Sequence, residues 1–393
     1  MLRVLTLATV YPHALEPNFG VFVEGQTSRL AARSDVDLRV VAPLGWPPFP
    51  LHLHRRYRRL RALPEQEEWC GVQVFRPRFA MLPGVSGRLN PALVARAVAP
   101  VLAQLGATGF TPDVVDAEFF YPDGPAAARL SAQLGLPFSI KARGADIHYW
   151  GAQPACRRQI LAAAGEAGGL LAVAGSLRDD MVALGMDRAK ILVHYTGVDL
   201  SLFQPRDRAA AKAALGISGK LVVSVGALIP RKGHDIVIAA MAALPEASLL
   251  IVGAGPEHGS LSRQIAGAGL GDRVRLLGSQ PHSRLPEILA AADVMALASA
   301  SEGLANAWVE AMACGTPVVA PAVDGALEAI APPIGGRLVE ERTPGAIAAA
   351  IEAVLANAPE SGAVRQNAER FTWARNTDVL FSHLKAIARK PVN

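Results

Sequence analysis

Short apolar runs separated by amphipathic stretches organise this chain from end to end. In the first half the runs predict strands over residues 3–9, 37–42, 72–76, 114–117, 138–142 and 169–173, with helices near 23–32, 91–105, 125–133 and 177–183. In the second half strands are expected over 220–225, 248–252, 274–277, 294–298 and 317–320. Apolar strands that alternate with helices point to parallel sheets covered on both faces. Residues 194–206 read as the linker between the halves, with Pro205 at its exit. The expected fold class is α/β, with two Rossmann-like domains (1–195 and 196–371) facing across a cleft and ligand sites at the C-terminal strand edges. The tail over 372–388 is amphipathic, carrying Trp373, Leu380, Leu384 and Ile387.

Composition narrows the class. At 393 residues and 51% hydrophobic, the chain is long enough for two cores, because domains usually run about 100–200 residues. No apolar stretch approaches the ~20 residues of a membrane-crossing helix, and no secretory leader is legible, so a cytoplasmic location is expected. Cys70, Cys156 and Cys314 are scattered and odd in number, and the nine histidines are dispersed, so no metal site is expected. The net charge of +5 is unevenly placed. His52, His54, Arg55, Arg56, Arg58, Arg59 and Arg61 form one basic run behind Trp46 and Phe49, and no nucleic-acid motif accompanies it. A solvated loop face is one reading of the run. The functional alternative is contact with an anionic membrane surface through Arg55, Arg56, Arg58 and Arg59, since neighbouring apolar and basic side chains favour an interface.

The most informative stretch is Ser301-Glu302-Gly303-Leu304-Ala305-Asn306-Ala307-Trp308-Val309-Glu310, followed by Gly315 and Pro317. Glu302 falls in a loop at a strand's C-terminal edge, and Glu310 about one turn into the next helix, which Gly315 and Pro317 stop. Free N–H groups at that helix start can hold an anion. Two hydroxyl acceptors beside an amide cradle describe a site for a phosphorylated sugar, while a bare glutamate pair on an αβ unit is more often simply solvated.

The whole string resembles the Glu-x7-Glu motif of the family 4 glycosyltransferases, which are retaining, nucleotide-sugar-dependent enzymes of the GT-B fold. The likeness extends to Val225-Gly226-Ala227-Leu228-Ile229-Pro230-Arg231-Lys232-Gly233, to Val252-Gly253-Ala254-Gly255-Pro256, and to the Thr196-Gly197-Val198-Asp199 segment with Phe203. The bacterial polysaccharide and teichuronic-acid branch is the nearest. The resemblance implies an acceptor-binding N-terminal domain, a nucleotide-sugar-binding C-terminal domain, and a C-terminal helix (372–393) that crosses back to the N-terminal one.

The resemblance also implies roles. Lys232 neutralises the diphosphate leaving group, and Glu302 meets the donor sugar's hydroxyls. Gly303, Leu304, Ala305 and Asn306 present amides, Glu310 holds the ribose, Gly226 lines the donor, and the base stacks near Leu276. Gly20 lets the backbone approach donor or acceptor. Where the family carries a second cation, this chain has Ala227, so Arg231 or Arg143 is expected to compensate. Glu118 and Arg143 stand where histidines are usual and would leave the cleft more charged; Asp146 would orient the acceptor. Gly253-Ala254-Gly255-Pro256 lacks the third glycine of a dinucleotide fingerprint, and Pro256 has no N–H to donate, so turn packing explains it at least as well as a ligand does. No cofactor is implied beyond the nucleoside-diphosphate sugar as substrate, and the acceptor would be lipid-linked or a glycan. A sugar-nucleotide epimerase or a catalytically silent scaffold on the same fold are the rivals.

Overall fold

The structure, a computed structural model, describes residues 1–82, 84 and 87–389; the side chains of Arg56 and Asp324 lie outside the described residues, as do positions 390–393 of the expected C-terminal helix. The chain divides into two compact units, Met1–Gly197 with the tail from Trp373, and Val198–Thr372.

In the first unit Leu2–Leu7 is central, pairing in parallel with Val36–Val41 on one side and Val114–Ala117 on the other. Beyond Val114–Ala117 lie Phe138–Ala142, Gly169–Ala172 and Ile191–Val193; beyond Val36–Val41 lie Val72–Phe75 and the antiparallel Gln66–Trp69. Strand order therefore reverses beside Leu2–Leu7, which opens a crevice at the C-terminal strand ends. Leu44–Trp46 and Arg78–Ala80 form a separate parallel pair. The second unit is wholly parallel among the described residues, in the order Val274–Leu276, Ala247–Val252, Lys220–Val225, Val294–Ala296, Val318–Pro321, Gly336–Val339. Its reversal lies between Lys220–Val225 and Val294–Ala296.

The strands that escaped the apolar pattern are the polar edge Gln66–Trp69, the pair Leu44–Trp46 and Arg78–Ala80, and the short Ile191–Val193 and Gly336–Val339. Each is only three or four residues long, too short to show a period. The expected linker is largely packed. His194 is buried in the first unit, its Nε2 2.9 Å from the Asn376 carbonyl, and Phe203 is buried in the second. The expectation that no stretch is apolar enough to cross a membrane needs correction: the 21-residue helical run Gly87–Ala107 has the length and composition, with a mean hydropathy of 1.2 over an 18-residue window. It packs Val94, Val98, Leu102 and Leu105 into the first unit's core.

The tail helix Trp373–Ala388 docks on the first unit. Leu380, Leu384 and Ile387 join a buried cluster with Val4, Val23, Leu30 and Val40. The neighbouring helix Val21–Ala31 meets Trp373 at Gly25, where an added Cβ would come within 2.8 Å of the indole, and Arg29 lies 4.8 Å over the same ring. The sequence-level amphipathicity thus reports a helix with a partner. Leu384→Ala leaves a cavity under this helix, and about 2–5 kcal/mol of stability should be lost. A drop in the urea midpoint followed by tryptophan fluorescence checks this; an unchanged midpoint contradicts it.

Candidate functional site

Two loops leave the second unit's sheet at its reversal. Lys220–Val225 runs into Gly226, whose N–H donates to Val252 O at 3.0 Å, then into the turn Pro230–Lys232 and the helix His234–Ala240. Between turn and helix, Gly233 has φ +67°, and an added Cβ would overlap the Ala298 carbonyl oxygen of the opposite loop. Only glycine lets the loops touch here. Further bonds tie them: Ala300 N–H to Arg231 O at 2.8 Å, and the Arg231 guanidinium to Ser301 O at 2.5 Å. Arg342 donates to Ala298 O at 2.6 Å and to Pro230 O at 3.2 Å.

This framing brings Lys232 Nζ to 2.5 Å from Glu302 Oε1, with Arg231 NH1 at 3.3 Å from the same oxygen. Glu302 is buried and Lys232 nearly so. Of the two arginines expected to replace the missing second cation, Arg231 therefore shares the site. Burial pushes the His234 imidazole down to about 4, so this neighbour, with Nδ1 3.0 Å from Ser224 Oγ, adds no charge at neutral pH. The glutamate loop is itself pinned: Gly325 N–H donates to Glu302 O at 3.2 Å, and a Cβ on Gly325 would overlap Gly303 O. Leu304 leads to Ala305, the extended N-cap of Asn306–Ala313, and no side chain caps that helix. Glu310 accepts from His282 Nε2 at 2.9 Å, and the His282 ring stands edge-on to Phe203, 5.2 Å between centroids. Leu276 ends its strand half-buried, close in sequence to this His282 loop. The Gly253–Pro256 turn is close packing as expected, since a Cβ on Gly253 would overlap Gly226 O and one on Gly255 would overlap Leu228 O.

The first unit's candidates fare differently. Glu118 is fully buried, ion-paired to Lys141 Nζ at 3.1 Å and to Arg143, with Gln26 Nε2 2.5 Å away. Burial opposes its ionisation, but Lys141 and Arg143 overcome this and hold the carboxyl below its usual range. Glu118 and Arg143 thus close on each other rather than charging an open surface, which corrects that expectation. Arg143 also lies over Phe22 (4.6 Å) and Phe119 (5.6 Å). Asp146 is spent as well: its carboxylate accepts from the N–H groups of Phe120, Arg143, Gly144 and Ile147 at 2.8–3.2 Å. It organises the turn from Arg143 to Ile147 and ties it to Phe120. Gly20 has φ +82° at the start of Val21–Ala31, where a Cβ would lie 2.8 Å from Val10 O.

Arg342, His282, Lys141 and Gln26 were not legible as site residues. His282 and Arg342 follow strand ends, which is the available signal; Lys141 and Gln26 are mid-element and gave none.

Two further carboxyls sit under the first unit's reversal. Asp123 Oδ2 accepts from Thr9 N–H at 3.0 Å, and burial pushes its pKa up to about 8; Asp116, also buried, is raised by burial and by Glu118. A carboxyl raised in the folded state holds its proton there, so its stabilisation is complete below its unfolded pKa and is lost as pH climbs through about 8. Asp123→Asn mimics the protonated form. Its stability relative to wild type should improve as pH rises from about 5 to about 9; a pH-independent difference in denaturation midpoint contradicts the assignment.

The chain matches the family described as Glycosyl transferases group 1 over residues 206–371 and that described as Glycosyltransferase Family 4 over residues 25–202. It is 39% identical over 214 residues to the D-inositol 3-phosphate glycosyltransferase of Mycolicibacterium vanbaalenii, covering 50% of this chain and 48% of that protein. The match thus spans about half the length of that relative. A teichuronic acid biosynthesis glycosyltransferase, TuaC of Bacillus subtilis, is 29% identical over 336 residues, 82% of each chain. Among solved structures, sucrose-phosphate synthase from Thermosynechococcus elongatus superposes with a TM-score of 0.80 at 21% identity, covering 98% of this chain and 100% of that one. Anabaena HepE in complex with UDP-glucose gives 0.75 at 21%, with the same coverage. Both likenesses speak to the fold.

Proposed function

The chain belongs to family 4 of the glycosyltransferases and has their GT-B fold of two Rossmann-like domains, and from that premise we propose that it moves a sugar from a nucleoside-diphosphate donor to a lipid-linked or polysaccharide acceptor in bacterial envelope glycan synthesis, with retention at the anomeric carbon. The observation that carries the reading is the Lys232–Glu302 pair, held with Arg231 where strand order reverses. A diphosphate brings more negative charge than one carboxylate, so it competes for Lys232 and Arg231 and frees Glu302 for the sugar's hydroxyls. The uncapped N–H groups at Asn306–Ala313 add donors for the phosphate. Glu310, steadied by His282, accepts from the ribose hydroxyls.

In the reaction the bond from the anomeric carbon to the phosphate oxygen breaks as the acceptor oxygen bonds to that carbon from the same face. The acceptor's proton passes to the leaving phosphate oxygen, so no protein nucleophile is required. The cations at positions 231 and 232 stabilise the departing diphosphate, which supports a metal-independent course. The supporting relatives are the teichuronic acid glycosyltransferase and the inositol phosphate glycosyltransferases, and HepE is a neighbour bound to UDP-glucose.

The protein would work at the inner face of the cell membrane. Phe49, Leu51 and Leu53 are exposed beside Arg55, Arg58 and Arg59, a mixture suited to an anionic interface.

A panel of nucleotide sugars, read by thermal shift and by nucleoside-diphosphate release, tests the reading, because a tight donor raises the melting temperature. Glu302→Gln should lower turnover by about 10²–10³-fold, the scale of losing one transition-state contact, with binding of the free nucleotide nearly intact. Equal loss of both would refute the assigned role, and no release from any donor would favour the silent scaffold. Exchanging the arginines at 55, 56, 58 and 59 for glutamate should abolish sedimentation with phosphatidylglycerol vesicles; unchanged sedimentation removes the membrane contact.

A further inference from the structure

The first unit has a cavity of its own, about 500 Å3, within the range of small-molecule sites. Thr9 and Pro122 line it from the two loops that flank this unit's strand-order reversal, the place where open α/β sheets take ligands. One wall is apolar, made of Leu15, Leu44, Leu60, Phe79 and Met81, while Thr9, His13, Tyr57 and Asn90 add polar side chains to the lining. A polysaccharide would leave such a wall without hydrogen-bonding work. Burial lowers the His13 pKa, and its Nδ1 accepts from Glu16 N–H at 3.2 Å. Glu16 is the cavity's acid and Arg59 its cation.

The helix Arg55–Leu60 lends Tyr57, Arg59 and Leu60 to the cavity. Arg55, Arg58, Arg59 and Arg61 are exposed and without ion-pair partners among the described residues, so one Glu16 leaves the rim positive. The turn Leu51–Leu53 precedes that helix, with Leu51 47% and Leu53 56% exposed and Phe49 76% exposed just before it. His52 stacks on Trp46 at 6.1 Å, next to Gly45 of the cavity lining. Apolar surface therefore continues from the cavity to an exposed edge bordered by guanidinium groups.

We propose that this cavity receives a lipid phosphate, its chain against the Leu44, Leu60, Phe79 and Met81 wall and its anionic group at Arg59, and that this is the end by which a lipid-linked acceptor is held. The inference rests on the glycosyl-transfer reading for the word acceptor, but not for the binding itself. It chooses the lipid-linked class over free polysaccharide.

Calorimetric titration of the full chain with decyl phosphate, below its aggregation concentration, tests it. Decyl phosphate should bind about tenfold or more tighter than either inorganic phosphate or decanol, since chain and charge are both recognised. Arg59→Glu should cost about tenfold, whereas Arg58→Glu, the same change of charge off the lining, should cost about threefold at most because exposed charges are screened. Leu60→Glu should also weaken binding with the circular dichroism spectrum unchanged. Equal losses for Arg58→Glu and Arg59→Glu, or equal affinity for inorganic phosphate, would overturn the proposal. Nucleoside-diphosphate release is read in the same preparations. Its presence without decyl phosphate binding refutes the cavity's role alone, and its absence with binding intact refutes glycosyl transfer but leaves a lipid-phosphate site.

Discussion

The carbonyl oxygen of Ala298 accepts from Arg342 at 2.6 Å and occupies the space that a side chain at position 233 would need. The charged cluster of the C-terminal unit follows from this close approach. With Gly233 in the left-handed region, the loop after Lys220–Val225 folds tightly enough to present Lys232 to Glu302 on the opposite loop. Arg342 braces both loops by their carbonyls, and Arg231 adds a second brace through Ser301. The two cations and the carboxylate are thus gathered at one crevice, where they neutralise one another in the absence of a competing anion.

The N-terminal unit has a similar crevice at its own reversal and treats charge in the opposite way. Glu118, Lys141, Arg143 and Gln26 satisfy one another beneath the surface, Asp146 is consumed by four backbone amides, and Asp123 is kept neutral by burial. Buried charges survive there because they are paired and hydrogen-bonded, and removing one member would strand the rest. The charged residues that replace the family's usual histidines are therefore a closed structural set. What remains at that crevice is a cavity with an apolar wall, and Glu16 and the exposed Arg59 are its charged lining residues. Such a division suits a ligand that is itself greasy at one end and ionic at the other.

Much of this is legible in the sequence itself. Alternation of apolar strands with helices revealed two parallel-sheet units, and the stretch from Glu302 to Glu310 located the loop and helix start of the second site, because short-range signals such as periodicity and glycine or proline stops are written locally. The docking helix was visible in the spacing of Leu380, Leu384 and Ile387. Tertiary structure alone decided which charges meet. Lys232 and Glu302 are 70 positions apart and Glu118 and Arg143 are 25 apart, yet the first pair stands at a crevice and the second is sealed in a core. No local pattern separates those outcomes, since burial and pairing depend on which strands become neighbours, and it is burial and pairing that determine whether a charged side chain serves a ligand or the fold.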